Sequence, residues 1–376
     1  MLAVIGSTGQ FGGAEATDIH YVAELVRRGV AVRWALPRDG PLHDRLSAAG
    51  VPCDIVPSPP VLDGLSRRYI SRRRTWEPRL IVEAARYEAR LGRWLRGLRP
   101  AAVLATGFRA QLSATPVAAS LRLPLAWVAS DFVPVEPLPC RVWSAMASIP
   151  RLVITYSRAA AEQPALRRSR RKVVIHSGID LDAFPMGPSE RDPLLSLVGH
   201  LTPLKNHLGF LEVLETVRRD CPYATGLLAG AHIYSTSDHG EYAEHVRSAV
   251  AATNGATLQS LAPEEVPELL RRSAVLLHLS SVPETFGRVC AEAMASGAVV
   301  IGYRHGATPE VLGHDGIMVE PGDLAAAAAA CRSVLRDDAL RRRLAAAGRR
   351  RVEAKFTLER AAAAGADALS TALRLT

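Results

Sequence analysis

Short apolar, β-branched segments alternate with longer stretches of helical periodicity along almost the whole chain, and no other feature restricts its fold as much. The first series runs Leu2–Ile5, Ala31–Leu36, Ala101–Ala105, Leu125–Val128, Leu152–Thr155 and Val173–Ile175. Buried strands separated by helices predict a doubly wound parallel sheet. The alternation restarts at Leu194–Val198 and continues through Thr225–Ala229, Ala274–Leu279, Ala298–Ile301 and Ile317–Val319. A second Rossmann-like domain is therefore expected after the first. Between the series, Asp182–Pro193 holds three prolines and several polar residues, the composition of a linker. The expected division is an N-terminal domain over 1–182, a C-terminal domain over 183–356 and a terminal helical tail over 357–376. At 376 residues, 48% hydrophobic, the chain is long enough for two full cores.

Composition removes several function classes. No apolar run reaches the eighteen or so residues of a membrane span. Met1–Ile5 enters a strand without the charged and apolar regions of a signal peptide, so a cytoplasmic location is expected. The five cysteines are scattered and lack C-x-x-C spacing, which predicts reduced core residues and neither a disulfide framework nor a zinc site. Net charge is +9, but aromatic residues make up only 5% and no nucleic-acid-binding motif occurs. The densest basic run is Arg67-Arg68, Arg72-Arg73-Arg74 and Arg79, followed by a helix-like Pro78–Leu98 carrying Arg86, Arg90, Arg93 and Arg96. Such a face suits an anionic membrane surface or a phosphorylated substrate, or is simply a solvated helix.

Two glutamates eight apart, Glu284 and Glu292, stand where an expected strand, Ala274–Leu279, passes through Pro283 and Gly287 into a helix ending near Gly297. Pro283 and Thr285 suit a helix start, placing backbone N–H groups near Phe286 and Gly287 above the strand with the positive end of the helix dipole behind them. An anionic ligand fits there. A loop carboxylate and a second one farther along the helix can flank a diphosphate, accepting hydrogen bonds from sugar hydroxyls at one end and ribose hydroxyls at the other. The same spacing also occurs on surface helices bearing two solvated glutamates.

Pro283-Glu284-x-Phe286-Gly287, continued by Glu292-Ala293-Met294-Ala295 and Gly297-x-Val299-Val300, resembles the E-x7-E signature of retaining glycosyltransferases of family four. Further similar stretches occur in the family's order: Ser157-Arg158-Ala159, Ser177-Gly178-Ile179-Asp180 with Phe184, Val198-Gly199-His200-Leu201-Thr202 with Lys205, Gly306 with Glu310, and Pro321-Gly322-Asp323. They cover roughly 150 to 356, and Gly12-Gly13-Ala14-Glu15 extends the likeness to the N-terminus.

The resemblance implies the α/β GT-B architecture: two Rossmann-like domains facing a cleft, with a C-terminal helix crossing back to the N-terminal domain. It also implies transfer of a sugar, with retention, from a nucleoside diphosphate sugar to a hydroxyl, without a cofactor or catalytic metal. UDP-glucose or UDP-N-acetylglucosamine is the expected donor. The acceptor is left open among small molecules, lipid-linked saccharides and polysaccharides. The residues carried over as catalytic are Lys205, Glu284, His200 and Asp131. Donor contacts fall to Gly12, Gly13, Lys205, Phe286, Gly287, Arg288, Glu292 and Glu310, and acceptor contacts to Glu15, Arg109, Ser130 and Asp131. Asp180-Leu181-Asp182 imitates the metal-binding D-x-D of other glycosyltransferases, but it lies in the Gly-Ile-Asp segment and is not assigned a metal.

Lysine usage singles out Lys205 independently. Only three of the 46 Lys and Arg residues are lysines, Lys172, Lys205 and Lys355. Lys205 follows the strand Leu194–Val198 by a short loop, where a compact point charge can reach a diphosphate.

Two departures from the family pattern stand out. His200 occupies a position where the family usually has arginine, so one charge on the leaving diphosphate becomes dependent on pH. If it acts as imidazolium, turnover falls as pH rises from about 6 to 8. Ser130 replaces a histidine that contacts the donor sugar in many relatives, with Asp131 beside it.

The opening loop supports a competing assignment. Gly6-Ser7-Thr8-Gly9-Gln10-Phe11-Gly12 follows a strand and precedes a helix, and Arg33 and Arg38 lie at the spacing where dinucleotide-binding proteins select their ribose. An NAD(P)-binding oxidoreductase or sensor would share it. No Tyr-x-x-x-Lys pair accompanies the loop. A sugar-nucleotide epimerase on the same two-domain fold is the other alternative.

Overall fold

The computed structural model describes residues 1–63, 78–133, 137–230 and 237–375. The basic run from Arg67 to Arg74 lies outside the described residues. The chain divides into two units, 1–178 with 359–376, and 179–358.

The first unit is built on seven strands: β1 (Leu2–Gly6), β2 (Val32–Leu36), β3 (Cys53–Ile55), β4 (Ala102–Thr106), β5 (Leu125–Ala129), β6 (Leu152–Thr155) and β7 (Lys172–Val174). They pair in the order β3-β2-β1-β4-β5-β6-β7, every pair parallel. Strands β1, β4, β5 and β6 are buried at every residue, as expected of strands with helices on both faces. Trp127 of β5 lies in this core and donates its indole N–H to Thr115 Oγ1 at 3.0 Å.

Six strands form the second unit: β8 (Asp192–Val198), β9 (Thr225–Ala229), β10 (Ala256–Gln259), β11 (Ser273–His278), β12 (Val299–Tyr303) and β13 (Ile317–Val319). Their order is β10-β9-β8-β11-β12-β13, again all parallel. Two strands go unseen in the sequence, β3 and β10. Both are short edge strands whose few residues include Asp54 or Gln259, so neither shows an apolar run.

The proline-rich segment 182–193 belongs to the second unit. Gly187 N–H donates to the Ser296 carbonyl at 3.0 Å, and Arg341 Nη1 to the Ser189 carbonyl at 2.8 Å. The chain passes between units earlier, at 178/179, and returns at 358/359. Ile179 bridges to Thr357 at these passages, with Ile179 N–H donating to the Phe356 carbonyl at 2.8 Å. Asp180 closes the adjoining turn by accepting from the N–H groups of Asp182 and Ala183 at 3.0 and 3.2 Å. That explains this aspartate without a metal.

The last helix, Leu358–Leu373, packs within the first unit against the helix Gly13–Arg27. A Cβ at Gly365 would stand 2.5 Å from the Tyr21 ring, and Arg28 pairs with Asp367 at 2.5 Å. Among the described residues no helix is long and apolar enough to cross a membrane. All five cysteines are free, and Cys221, Cys290 and Cys331 are buried.

Candidate active site

Ligands of open parallel sheets gather beyond the carboxyl ends of the strands, where neighbouring connections leave in opposite directions. In the second unit that point lies between β8 and β11. The chain after β8 makes a single 3-10 turn, Pro203–Lys205, which ends at Asn206 in the left-handed conformation; its side chain caps the helix His207–Asp220 by accepting from Gly209 N–H at 3.2 Å. The chain after β11 is tied to this turn, because Ser281 N–H donates to the Leu204 carbonyl at 2.8 Å. Lys205 Nζ thereby meets Glu284 Oε1 at 2.6 Å.

Glu284 is the hub of a compact polar group. Its Oε1 also accepts from Ser280 Oγ, and His278 Nε2 lies 3.8 Å away. Burial works to raise the Glu284 carboxyl, but Lys205, His278 and the hydrogen bonds prevail and hold it well below the usual carboxylate range. Burial depresses His278, partly offset by Glu284. The loop after β12 supports the same carboxylate from behind. Gly306 has φ +55°, a Cβ there would lie 2.8 Å from the backbone N and O of Glu284, and Ala307 N–H donates to the Glu284 carbonyl at 3.0 Å. His305 of this loop is 2.8 Å from the Ser280 carbonyl through Nε2.

The helix carrying Glu292 spans Arg288–Ser296 and ends at Gly297. It begins later than Pro283 and Thr285 suggest, because Gly287 is left-handed at φ +77° and cannot be part of the right-handed helix. Phe286, 3% exposed, packs edge-on to Phe356 and anchors the turn. Glu292 pairs with Arg288 at 2.7 Å. Burial pushes the Glu292 carboxyl up against the opposing pull of Arg288. Both glutamates of the motif thus face a cation. Glu310 lies in the first turn of the helix Thr308–Leu312, its carbonyl accepting from Arg351 Nη2 at 2.9 Å. His200 stands at the end of β8, its carbonyl accepting from Thr202 N–H at 2.7 Å.

The corresponding point of the first unit lies between β1 and β4. Ser7 joins the two strand ends, donating to the Thr106 carbonyl at 2.7 Å and accepting from Ala110 N–H at 3.1 Å. Gly12 is the N-cap of the helix Gly13–Arg27, which carries Glu15, while Arg109 lies in the first turn of the helix Phe108–Ser120. Ser130 and Asp131 follow β5, with Ser130 Oγ donating to Asp131 Oδ2 at 3.4 Å. Burial raises the Glu15 carboxyl to about 7, aided by Asp131 and opposed by Arg109. Sequence reading missed its neighbour Asp18. This residue is 3% exposed, accepts from Tyr156 Oη at 2.5 Å, and has its carboxyl driven far up by burial.

The opening glycines have packing explanations. A Cβ at Gly6 would meet Trp34 Nε1 at 2.7 Å, and one at Gly9 the Arg38 carbonyl at 2.6 Å. Arg33 is engaged by Asp54 at 2.7 and 2.5 Å.

Residues 179–351, the segment that carries Lys205, Glu284 and Glu292, match the family described as Glycosyl transferases group 1. A D-inositol 3-phosphate glycosyltransferase from a Nocardioides species is 29% identical over 195 residues, 46% of this chain and 43% of that protein. The glycogen synthase of Mycobacterium tuberculosis is 31% identical over 210 residues, covering 54% and 49%. The aligned stretch therefore spans less than half the length of either relative.

Among solved structures, Anabaena Alr3699/HepE in complex with UDP superposes with a TM-score of 0.81, covering 98% of this chain and 99% of that one at 19% identity. Its complex with UDP-glucose gives the same TM-score. The fold of the chain is accordingly GT-B-like.

Two side chains of the polar group around Glu284 went unnoticed in the sequence: His278 and Ser280. His278 was the more legible of them, as a lone polar residue closing an otherwise apolar strand. Nothing local marked Ser280, whose contact with Glu284 comes from loops converging on that residue.

Proposed function

We propose that the protein is a retaining glycosyltransferase that moves a hexosyl unit from a UDP-linked sugar, UDP-glucose or UDP-N-acetylglucosamine, to a hydroxyl of an acceptor. The observation that carries this is the Lys205–Glu284 pair at the carboxyl end of β8 and β11, inside the segment matching the glycosyl transferase family. The binding of UDP and UDP-glucose by the structural neighbour supports the choice of base.

In this assignment Glu284 accepts hydrogen bonds from donor-sugar hydroxyls and Glu292 from the ribose, as ionised carboxylates do in bidentate fashion. Lys205, His200 and the backbone of Phe286, Gly287 and Arg288 hold the diphosphate. Gly12 and Gly13 are assigned to donor contact, and Glu310 steadies the wall behind Glu284. The acceptor oxygen forms a bond to the anomeric carbon on the face from which the diphosphate departs. The bond from that carbon to the diphosphate oxygen breaks, the electron pair leaves with UDP, and the acceptor proton passes to the departing phosphate. The protein contributes orientation and charge stabilisation. Glu15, Arg109, Ser130 and Asp131 are assigned to the acceptor, and the reaction to the cytoplasm.

The test is to incubate the protein with UDP-glucose and UDP-N-acetylglucosamine and a panel of hydroxylated acceptors, then read the anomeric configuration of the product by NMR. An α-linked product from an α-linked donor is expected. An inverted product, or oxidation of a substrate with reduction of NADP, would refute the assignment.

A further inference from the structure

A cavity of about 170 Å³ opens in the first unit beside Gly6 and Ser7 at the carboxyl end of β1. Its walls come from the loop after β3, the helix Pro78–Leu98 and the start of the helix Phe108–Ser120. Leu62, Ala84 and Leu112 make one side apolar, while Tyr87, Glu88 and Arg109 supply the polar groups.

Two of those polar groups have no hydrogen-bond or ion-pair partner among the described residues. Tyr87 is only 6% exposed, lines the cavity, and its hydroxyl makes no hydrogen bond among the described residues. Glu88, half-buried, likewise has no ion pair or hydrogen bond among the described residues, and burial raises its carboxyl. Burial also pushes the Tyr87 phenol up to about 12, against Arg109. Gly6 and Ser7 of the cavity wall open the loop that runs to Gly12, the N-cap of the helix carrying Glu15, to which the acceptor was assigned.

Size and polarity limit the occupant. An apolar cavity of about 150 Å³ accepts one benzene ring, so this one holds a single six-membered ring and excludes a second. The apolar walls suit ring faces, and the Tyr87 hydroxyl with the Glu88 carboxylate suits a hydroxyl on the ring edge. An anionic substituent would meet the Glu88 carboxylate in the cavity wall.

We propose that this cavity is the acceptor subsite and that it takes one hydroxylated ring with apolar faces and no anionic group, held by Tyr87 and Glu88. The proposal rests on the glycosyltransferase assignment for the identity of the ligand as acceptor, but binding itself does not.

The experiment uses the full chain and two probes, 4-hydroxybenzyl alcohol and its anionic analogue 4-hydroxybenzoate. Binding is measured first by ligand-observed NMR without donor, then by the KM for each as acceptor. Binding of the neutral probe is expected to exceed that of the anion at least about tenfold. Tyr87→Phe is expected to raise its KM about tenfold with little change in kcat, the effect of losing one buried hydrogen bond. Ala84→Phe, which fills the cavity, is expected to abolish binding. A UDP-induced thermal shift in both variants shows that they are folded and keeps the donor site as a separate readout. Absence of neutral-probe binding, undiminished binding in Ala84→Phe, or preference for the anion would overturn the proposal. Loss of the UDP shift in the parent chain would instead count against the glycosyltransferase assignment.

Discussion

Lys205 and Glu284 show how a sparse residue type and a short loop can be interpreted together. Lys172 donates to the Ala161 carbonyl at 2.7 Å, and Lys355 closes the helix Asp338–Lys355, so both have structural explanations. Lys205 is different, since it neutralises a carboxylate held ionised among buried groups. Removing it leaves Glu284 without its cation. Lys205→Met is expected to destabilise the protein by about 1–3 kcal/mol, and Glu284→Gln on that background to restore part of the loss. Urea unfolding of the four-member cycle measures this coupling, and additive effects would contradict it. The pair stabilises the fold above the unfolded carboxyl value of 4.5 and loses that effect as pH falls through the depressed folded value.

Glu15 and Asp18 act in the opposite direction, because burial raises both. Folding takes up protons between 4.5 and about 7 at Glu15, so stability falls as pH rises through that window. Glu15→Gln should flatten the fall and stabilise the protein at pH 8 by ~3 kcal/mol at most. Melting temperatures at pH 5.5 and 8 decide it, and an unchanged difference between them would reject the cause. Glu284, Glu292 and Lys205 were legible in the sequence because their spacing follows strand and loop. Asp18 and Tyr156 were not, since 138 residues separate the two and only the sheet order brings them together.

At the level of elements, strand order does most of the positioning. Residues after β8 and β11 converge because these strands are neighbours with oppositely directed connections. The long apolar strands and the helix Pro78–Leu98 were readable from pattern. The start of the helix Arg288–Ser296 was not, because Gly287 interrupts a stretch whose composition suits helix from Pro283 onward. The loop after β12 is the least forgiving connection. Gly306→Ala places a Cβ against the Glu284 backbone in a left-handed conformation, with an expected cost of about 1–3 kcal/mol. Displacement of Glu284 should also raise the KM for donor more than about tenfold. Steady-state kinetics at fixed acceptor tests this, and an unchanged donor KM would detach the loop from the site.

On the scale of the molecule, the alternation of strands and helices made both sheets legible, but not the points where the chain passes between units. The prolines of 182–193 suggested a linker, whereas hydrogen bonds to Ser296 and Arg341 hold that segment in the second unit. The last helix closes the first unit on Tyr21, and Gly365→Leu should undock it, lowering stability by about 1–3 kcal/mol. The helix Pro78–Leu98 exposes Ile81 and Val82 at 54% and 47% beside Arg79 and Arg86. If that face meets an anionic membrane, the protein pellets with anionic liposomes at low salt and is released by about 0.5 M salt.

The central claim, a nucleoside diphosphate site around Lys205, Glu284 and Glu292, is tested most directly by thermal unfolding with UDP, GDP, ADP, NAD and NADP. At roughly a hundred times the dissociation constant, a specific ligand adds about 2.7 kcal/mol and several degrees. The expected result is a shift with UDP that disappears in Lys205→Ala and Glu292→Ala. A shift with NADP alone, retained in both variants, would contradict the account and return the function to the Gly6–Gly12 loop.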